Sequence, residues 1–223
     1  LEKQLAEDPK NGRLAAELAA RYSSIREYDK AIEYYEMAYD LEPTNFGHRE
    51  KAGDLRINRF DREIQAADEA GDKARHEELK AERLDFQVEE FGKRVQAHPT
   101  ELGLRYRLAR ALHEHGDVDE AIAEYQLTLK DPRRKIESLT MLGNCFIEKG
   151  LFDLAENQLR KALEETPGMT DRTKDILYSL GLLKEKQGLV DEALAEYKKV
   201  YEVDINYEDV AEKMTTLKKN AGS

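Results

Sequence analysis

The stretch GDVDEAIAEYQLTLKDP, residues 116–132, decides how the rest of the chain is read. It opens on a Gly that allows the chain to reverse, continues as a helical pattern from Asp119 and Ala121, and stops at Pro132, which cannot extend a helix. Three other stretches have the same form: REYDKAIEYYEMAYDLEP (26–43), GLFDLAENQLRKALEETP (150–167) and GLVDEALAEYKKVYEVD (188–204). Each reads as the second half of a unit made of a helix, a tight turn and a second helix.

Four markers carry the period outward from these stretches. Pro9, Pro43, Pro99, Pro132 and Pro167 each follow a short polar residue at a helix end, at spacings of 34, 56, 33 and 35. A small residue in mid-helix, at Ala19, Gly53, Ala109, Gly143 and Gly181, recurs at 34, 56, 34 and 38 and lets a neighbouring helix come close. Ala31, Ala121, Ala155 and Ala193 open the second helices, and Asp29, Asp119, Asp153 and Asp191 precede them by two residues, where an N-cap is expected. Gly116, Gly150 and Gly188 lie five residues before that Ala, where the first helix must end.

On these residues the chain resembles the tetratricopeptide repeat (TPR) family, whose 34-residue unit has a small residue in its first helix, an Ala and an aromatic in its second, and a closing Pro. The resemblance covers nearly the whole chain. It implies an all-α, right-handed superhelical solenoid that binds proteins and catalyses nothing. Departures are the missing aromatic at the start of the first helices, where Ala15, Arg105, Leu139 and Leu177 stand, and Ile205 in place of the last Pro.

Composition fits that reading. Charged residues are 37% and hydrophobic ones 40% of 223 residues, which suits helices with one apolar stripe and one charged face. The net charge of −11 repels phosphate backbones and anionic lipid heads, so nucleic acid is not an expected partner. Cys145 is the single cysteine and can form no internal disulfide; a lone thiol fits the cytosol without excluding export. No apolar run approaches the roughly 20 residues of a membrane span.

The expected organisation is one array over 1–223. It comprises a remnant of a preceding repeat (1–10), a repeat (12–45), an elongated repeat (46–99), repeats at 102–133, 136–168 and 174–206, and a capping helix (207–219). Leu1 and Leu5 fall on the apolar face of a second helix whose partner is not in the sequence, so the chain is expected to start inside a repeat of a longer protein. At the other end Val210, Met214 and Leu217 mark the cap that covers the last repeat face.

The elongated unit is 22 residues longer than a regular one, about three turns added to each helix. Gly53, Ile57, Phe60, Ile64 and Ala67, then Ala81, Leu84, Val88, Phe91 and Val95, follow alternating spacings of three and four, as in a coiled-coil seam. The expectation is an antiparallel hairpin reversing at Ala70, Gly71 and Asp72. It projects beyond its neighbours and serves either as a second docking surface or as a spacer.

No glycine-rich phosphate loop, cysteine pair or nucleophile elbow is present, so neither catalysis, cofactor nor metal is expected. His113 and His115, two apart on a helix, point to different sides, and Lys130, Arg133, Arg134 and Lys135 around Pro132 are too few for a nucleic-acid footprint. Tyr34 and Tyr39 are read as covering inter-helix surface.

What remains is the concave face. The resemblance implies a groove lined by the first helices of successive units, and spacing then selects Tyr106, Arg110 and His113, Thr140 and Asn144, and Tyr178 and Leu182 as the candidate peptide-binding residues. Aromatic anchors, an Arg and an amide suit peptide recognition, while the same residues also suit an ordinary polar groove wall. A clamp for a terminal carboxylate is not expected, since of its slots only Asn144 matches and Ala16 and Ala20 are apolar. The expected function is a non-catalytic scaffold for a peptide or partner helix. The alternatives are an architectural, self-associating module or the regulatory part of a larger enzyme.

Overall fold

The computed structural model describes residues 1–221, and these form twelve helices and no strand. They are α1 (Glu2–Glu7), α2 (Gly12–Ser24), α3 (Tyr28–Leu41), α4 (Phe46–Glu69), α5 (Lys73–Ala97), α6 (Leu102–His115), α7 (Val118–Thr128), α8 (Lys135–Glu148), α9 (Phe152–Glu164), α10 (Asp171–Lys186), α11 (Val190–Tyr201) and α12 (Val210–Ala221). None of the described helices is long and apolar enough to cross a membrane. The chain divides into two compact units, one ending at Ala97 and one starting at His98.

In the second unit α6/α7, α8/α9 and α10/α11 are hairpins, and α12 packs on α11. Each pair closes around a residue of minimal size. A side chain at Gly143 would put its Cβ 2.5 Å from Leu159 Cγ, and one at Gly181 would put it 2.4 Å from the Tyr197 ring, so the two helices touch backbone to side chain. Leu159, Tyr125 and Tyr197 are fully buried as a result. Gly116, Gly150 and Gly188 end the first helices with φ of 98°, 70° and 76°, and the next residue's N–H reaches back five residues, as Asp117 does to the Leu112 carbonyl at 2.9 Å.

The same turn in the first unit is made by Arg26, at φ 62°, with Glu27 N–H on the Tyr22 carbonyl at 3.0 Å. The reversal is thus imposed by the repeat even where a side chain makes the left-handed conformation costly.

The aspartates before Ala31, Ala121, Ala155 and Ala193 do not cap. The N-cap residues are Glu27, Asp117, Leu151 and Leu189, none with a side-chain cap bond, and Asp29, Asp119, Asp153 and Asp191 lie inside the first turn. There they meet the positive end of the helix dipole. Two of them also tie neighbouring helix pairs together: Asp29 accepts from Arg59 at 2.9 Å, and Asp119 pairs with Lys149.

In the first unit Leu5 of α1 is buried with Ala15, Leu18 and Ala38, and Ala19, Ala31, Ile32 and Tyr35 form a second cluster with Ala52 and Leu55 of α4. Tyr34 stacks on Tyr22, rings 5.6 Å apart, and Tyr39 meets Phe46 edge-on at 6.3 Å, so these tyrosines cover helix contacts.

Helices α4 and α5, 24 and 25 residues long, run antiparallel. They reverse at Gly71 (φ 70°), and Asp72 Oδ1 accepts from the Arg75 backbone N–H at 3.0 Å. Phe60 and Phe86 meet at 6.1 Å, and Arg83 pairs with Asp61 at 2.5 Å. In α5 the contact face departs from the spacing: Ala81 is exposed, whereas Leu79 is 2% exposed. A straight helix of 3.6 residues per turn drifts off a strict seam over this length. Near the base, α5 presents Glu90 and Arg94, both almost fully buried, to α4.

Candidate functional site

The second unit's first helices each turn one stripe toward their hairpin partners and another toward a shared cavity. Leu108 and Leu112 of α6, Leu142 and Phe146 of α8, and Leu180 and Leu183 of α10 are buried on the first. The second stripes, with residues one helical turn apart, border a cavity of about 440 Å³. Five of the seven residues selected by spacing line it: Tyr106, Arg110, Thr140, Asn144 and Tyr178. His113 and Leu182 are outside the lining. His113 Nε2 lies 2.7 Å from Glu148 and its ring stands edge-on to Tyr125, while Leu182 is half-buried.

The tyrosines form the walls. Tyr106 packs edge-on to Tyr125 at 5.9 Å and has the Arg134 guanidinium over its ring at 4.7 Å. Tyr178 meets Tyr197 at 5.6 Å and Tyr207 at 5.9 Å, and its hydroxyl donates to Asp209. Burial first, then the carboxylates beside them, push the Tyr106, Tyr178 and Tyr207 phenols above their ordinary range, so all three remain hydrogen-bond donors at neutral pH.

The floor is polar. Thr140 spends its hydroxyl on the Ile136 carbonyl at 3.0 Å. Asn144 differs: its Oδ1 is shut off from solvent and has no hydrogen-bond partner among the described residues. A buried amide oxygen in that state costs about 1–3 kcal/mol until a donor reaches it.

The spacing did not select Glu137, Arg172, Asp175, Tyr207 or Glu208, which also line the cavity. Three of these were within reach of periodicity: Glu137 lies three residues before Thr140, and Asp175 and Arg172 lie one and two turns before Tyr178. Tyr207 and Glu208 come from the connection before α12, where no helical period applies.

The remaining sequence candidates have local partners. His115 Nδ1 is 2.7 Å from Asp117 Oδ2, Lys135 pairs with Glu165 at 2.5 Å, and Arg134 lies over Tyr106. In the first unit a cavity of about 340 Å³ lies between Tyr39, Arg49, Arg56, Phe86 and Glu90, where Arg49 pairs with Glu90 at 2.8 Å and Arg56 with Glu36.

Comparison with known proteins agrees with this architecture. Tetratricopeptide repeat models match residues 14–50, 94–134 and 140–208. No curated protein matches the chain by sequence. Among solved structures it is similar to YrrB, described as a TPR protein with an unusual peptide-binding site, at 18% identity and TM-score 0.66, covering 95% of each chain. It is also similar to MamA, at 21% identity and TM-score 0.60 over 88% of this chain and 95% of that one. A third is a tetratricopeptide repeat protein from Parabacteroides merdae, at 16% identity and TM-score 0.67 over 95% of this chain and 73% of that one. At these identities the likeness establishes the fold. The recurring motif, the helix hairpins closed by Gly143 and Gly181, and the matched repeat models lead to one assignment: the chain belongs to the tetratricopeptide repeat family.

Proposed function

We propose that the chain is a non-catalytic scaffold whose second unit holds an extended peptide or a partner helix in the groove of α6, α8 and α10. The observation that carries this reading is Asn144, whose amide oxygen is unpaired in the floor of a cavity with tyrosine sides. Turning the Asn144 amide toward the cavity, which it lines, lets a peptide backbone supply the N–H that Oδ1 lacks, and Tyr106 and Tyr178 offer rigid aromatic surface beside it. A preformed groove costs little ordering on the scaffold side. The peptide-binding site of the similarly folded YrrB lends support from outside this chain.

The test is capture of peptides by the chain and by two variants. Asn144→Ala, and Arg110→Ala combined with Tyr178→Ala, are expected to weaken binding about tenfold or more while far-UV circular dichroism is unchanged. Unchanged binding in both variants rejects the groove.

A second docking surface on the α4–α5 hairpin is part of the proposal. Its support is the length of the two helices and the ion pairs that hold them in register. Removal of residues 59–83 is expected to spare groove binding and to abolish capture of any partner specific to the hairpin. If the hairpin instead drives self-association, sedimentation velocity shows a concentration-dependent mass that this deletion removes.

A further inference from the structure

The charges around the groove are unevenly matched. Cations at or beside the cavity are engaged: Arg172 on Glu137 at 3.0 Å, Arg110 on Glu114 at 3.3 Å, and Lys174 on Asp171 and Asp204, both at 2.8 Å. Three carboxylates at the α10 end are not. Among the described residues, the Asp175 carboxylate accepts from the Tyr207 hydroxyl and the Asp209 carboxylate from the Tyr178 hydroxyl, neither is in an ion pair, and the Glu208 carboxylate has no hydrogen bond or ion pair. These three surround two tyrosine rings set edge to face, and Asp175 and Glu208 open onto the same cavity as Asn144.

We infer that this end of the groove reads a basic side chain, Lys or Arg, of the bound peptide. The inference rests on the groove reading above and adds the chemical class of the ligand. A cation there finds two carboxylates that lack one, together with tyrosine surface whose cation affinity the chain already exploits, Lys174 lying 5.1 Å from the Tyr207 ring centre. An acidic or phosphorylated side chain meets only repulsion, because the nearby guanidinium and ammonium groups already have carboxylate partners. Because Asn144, Asp175 and Glu208 line one cavity, one extended segment can satisfy both features: its backbone pairs with the amide, and a basic side chain reaches the carboxylates beside the packed Tyr178 and Tyr207 rings. The net charge of −11 adds attraction at long range for a basic segment.

The carboxylates are provided by two different elements. Asp175 belongs to α10, whereas Glu208 and Asp209 belong to the connection that leads into α12, anchored by Val210 at 0% exposure and by the Lys213–Glu185 pair at 3.0 Å. The terminal segment therefore does more than cover the last repeat; it supplies two of the three carboxylates that select the ligand.

The experiment is selection of a random peptide library, displayed on phage, against the native chain, against Asn144→Ala, and against the double variant Asp175→Asn with Glu208→Gln. Asn at 175 keeps the oxygen that accepts from Tyr207, and Glu208 is exposed, so the double variant is expected to fold and to melt with the parent. The expected result is enrichment of Lys or Arg at one fixed position on the native chain, loss of that preference on the double variant, and a drop of roughly tenfold in affinity of the enriched peptide. Raising the salt concentration is expected to erode the difference. Peptides enriched on the native chain and lost on Asn144→Ala, but with no basic position, overturn this inference and leave the groove reading standing. Failure to enrich any peptide overturns both.

Discussion

The two units solve one packing problem in two ways. Gly143 and Gly181 in the second unit leave room for Leu159 and the Tyr197 ring, so hydrocarbon and aromatic surface fills the gap between paired helices. Gly53 occupies the same slot of the elongated pair, yet its neighbours are Glu90 Oε1, 2.5 Å from where a Cβ would stand, and Arg94. Arg94 donates to Glu90 at 2.8 Å and to the Glu50 carbonyl at 2.7 Å, and pairs with Asp54 at 2.9 Å; Arg49 closes the other side of Glu90. The slot therefore demands smallness, and the repeat leaves open what fills it. Apolar filling tolerates sliding, whereas a buried network with directed hydrogen bonds admits one register. A hairpin of two long helices with few neighbours has most need of that register.

The largest expected effect breaks the ionic side of this comparison. Glu90→Ala removes the buried carboxylate shared by Arg49 and Arg94, leaving Arg94 only Asp54 and the Glu50 carbonyl, and is expected to cost about 3 kcal/mol, read as lost hydrogen-exchange protection in α4 and α5. Next, Gly143→Ala forces Leu159 aside and is expected to destabilise the second unit by about 1–3 kcal/mol. Cys145, two residues on, is buried, and burial pushes its thiol up to about 12, so in the native chain it is inert to thiol reagents. Its labelling rate rises in Gly143→Ala if the close approach is real. Tyr197→Phe removes only the 2.8 Å bond to Glu185 and is expected to cost about 1 kcal/mol in urea unfolding.

The smallest effect has the opposite sign. Arg26→Gly relieves a left-handed residue at the turn that glycine makes elsewhere, and is expected to raise stability by about 0.5 kcal/mol. A loss instead would mean that the Arg26 side chain contributes more than its backbone costs.

The fold was legible because one repeated constraint produced several residue signals. Small residues at Ala19, Gly53, Ala109, Gly143 and Gly181, and glycines at positive φ in three turns, each report a contact or a dihedral that few side chains permit. The Asp residues were misassigned by two helical positions, since a cap and a first-turn carboxylate leave the same mark in sequence while only the backbone separates them. In α5 a strict seam pointed to Ala81, and the drift of a straight helix put Leu79 inside instead. Within the candidate site, Tyr106, Arg110, Thr140, Asn144 and Tyr178 followed from helical spacing on three helices. Tyr207 and Glu208 did not, because their approach to α10 depends on where α12 docks, which no local pattern encodes.

Whether the groove of α6, α8 and α10 is the peptide site is read residue by residue in a nuclear magnetic resonance titration of the isotope-labelled chain with a selected peptide. Amide and side-chain shifts are expected to centre on Tyr106, Thr140, Asn144 and Tyr178, with the Asn144 side-chain resonances moving furthest. Shifts confined to α4 and α5, with Asn144 unmoved, would contradict the groove as the peptide site.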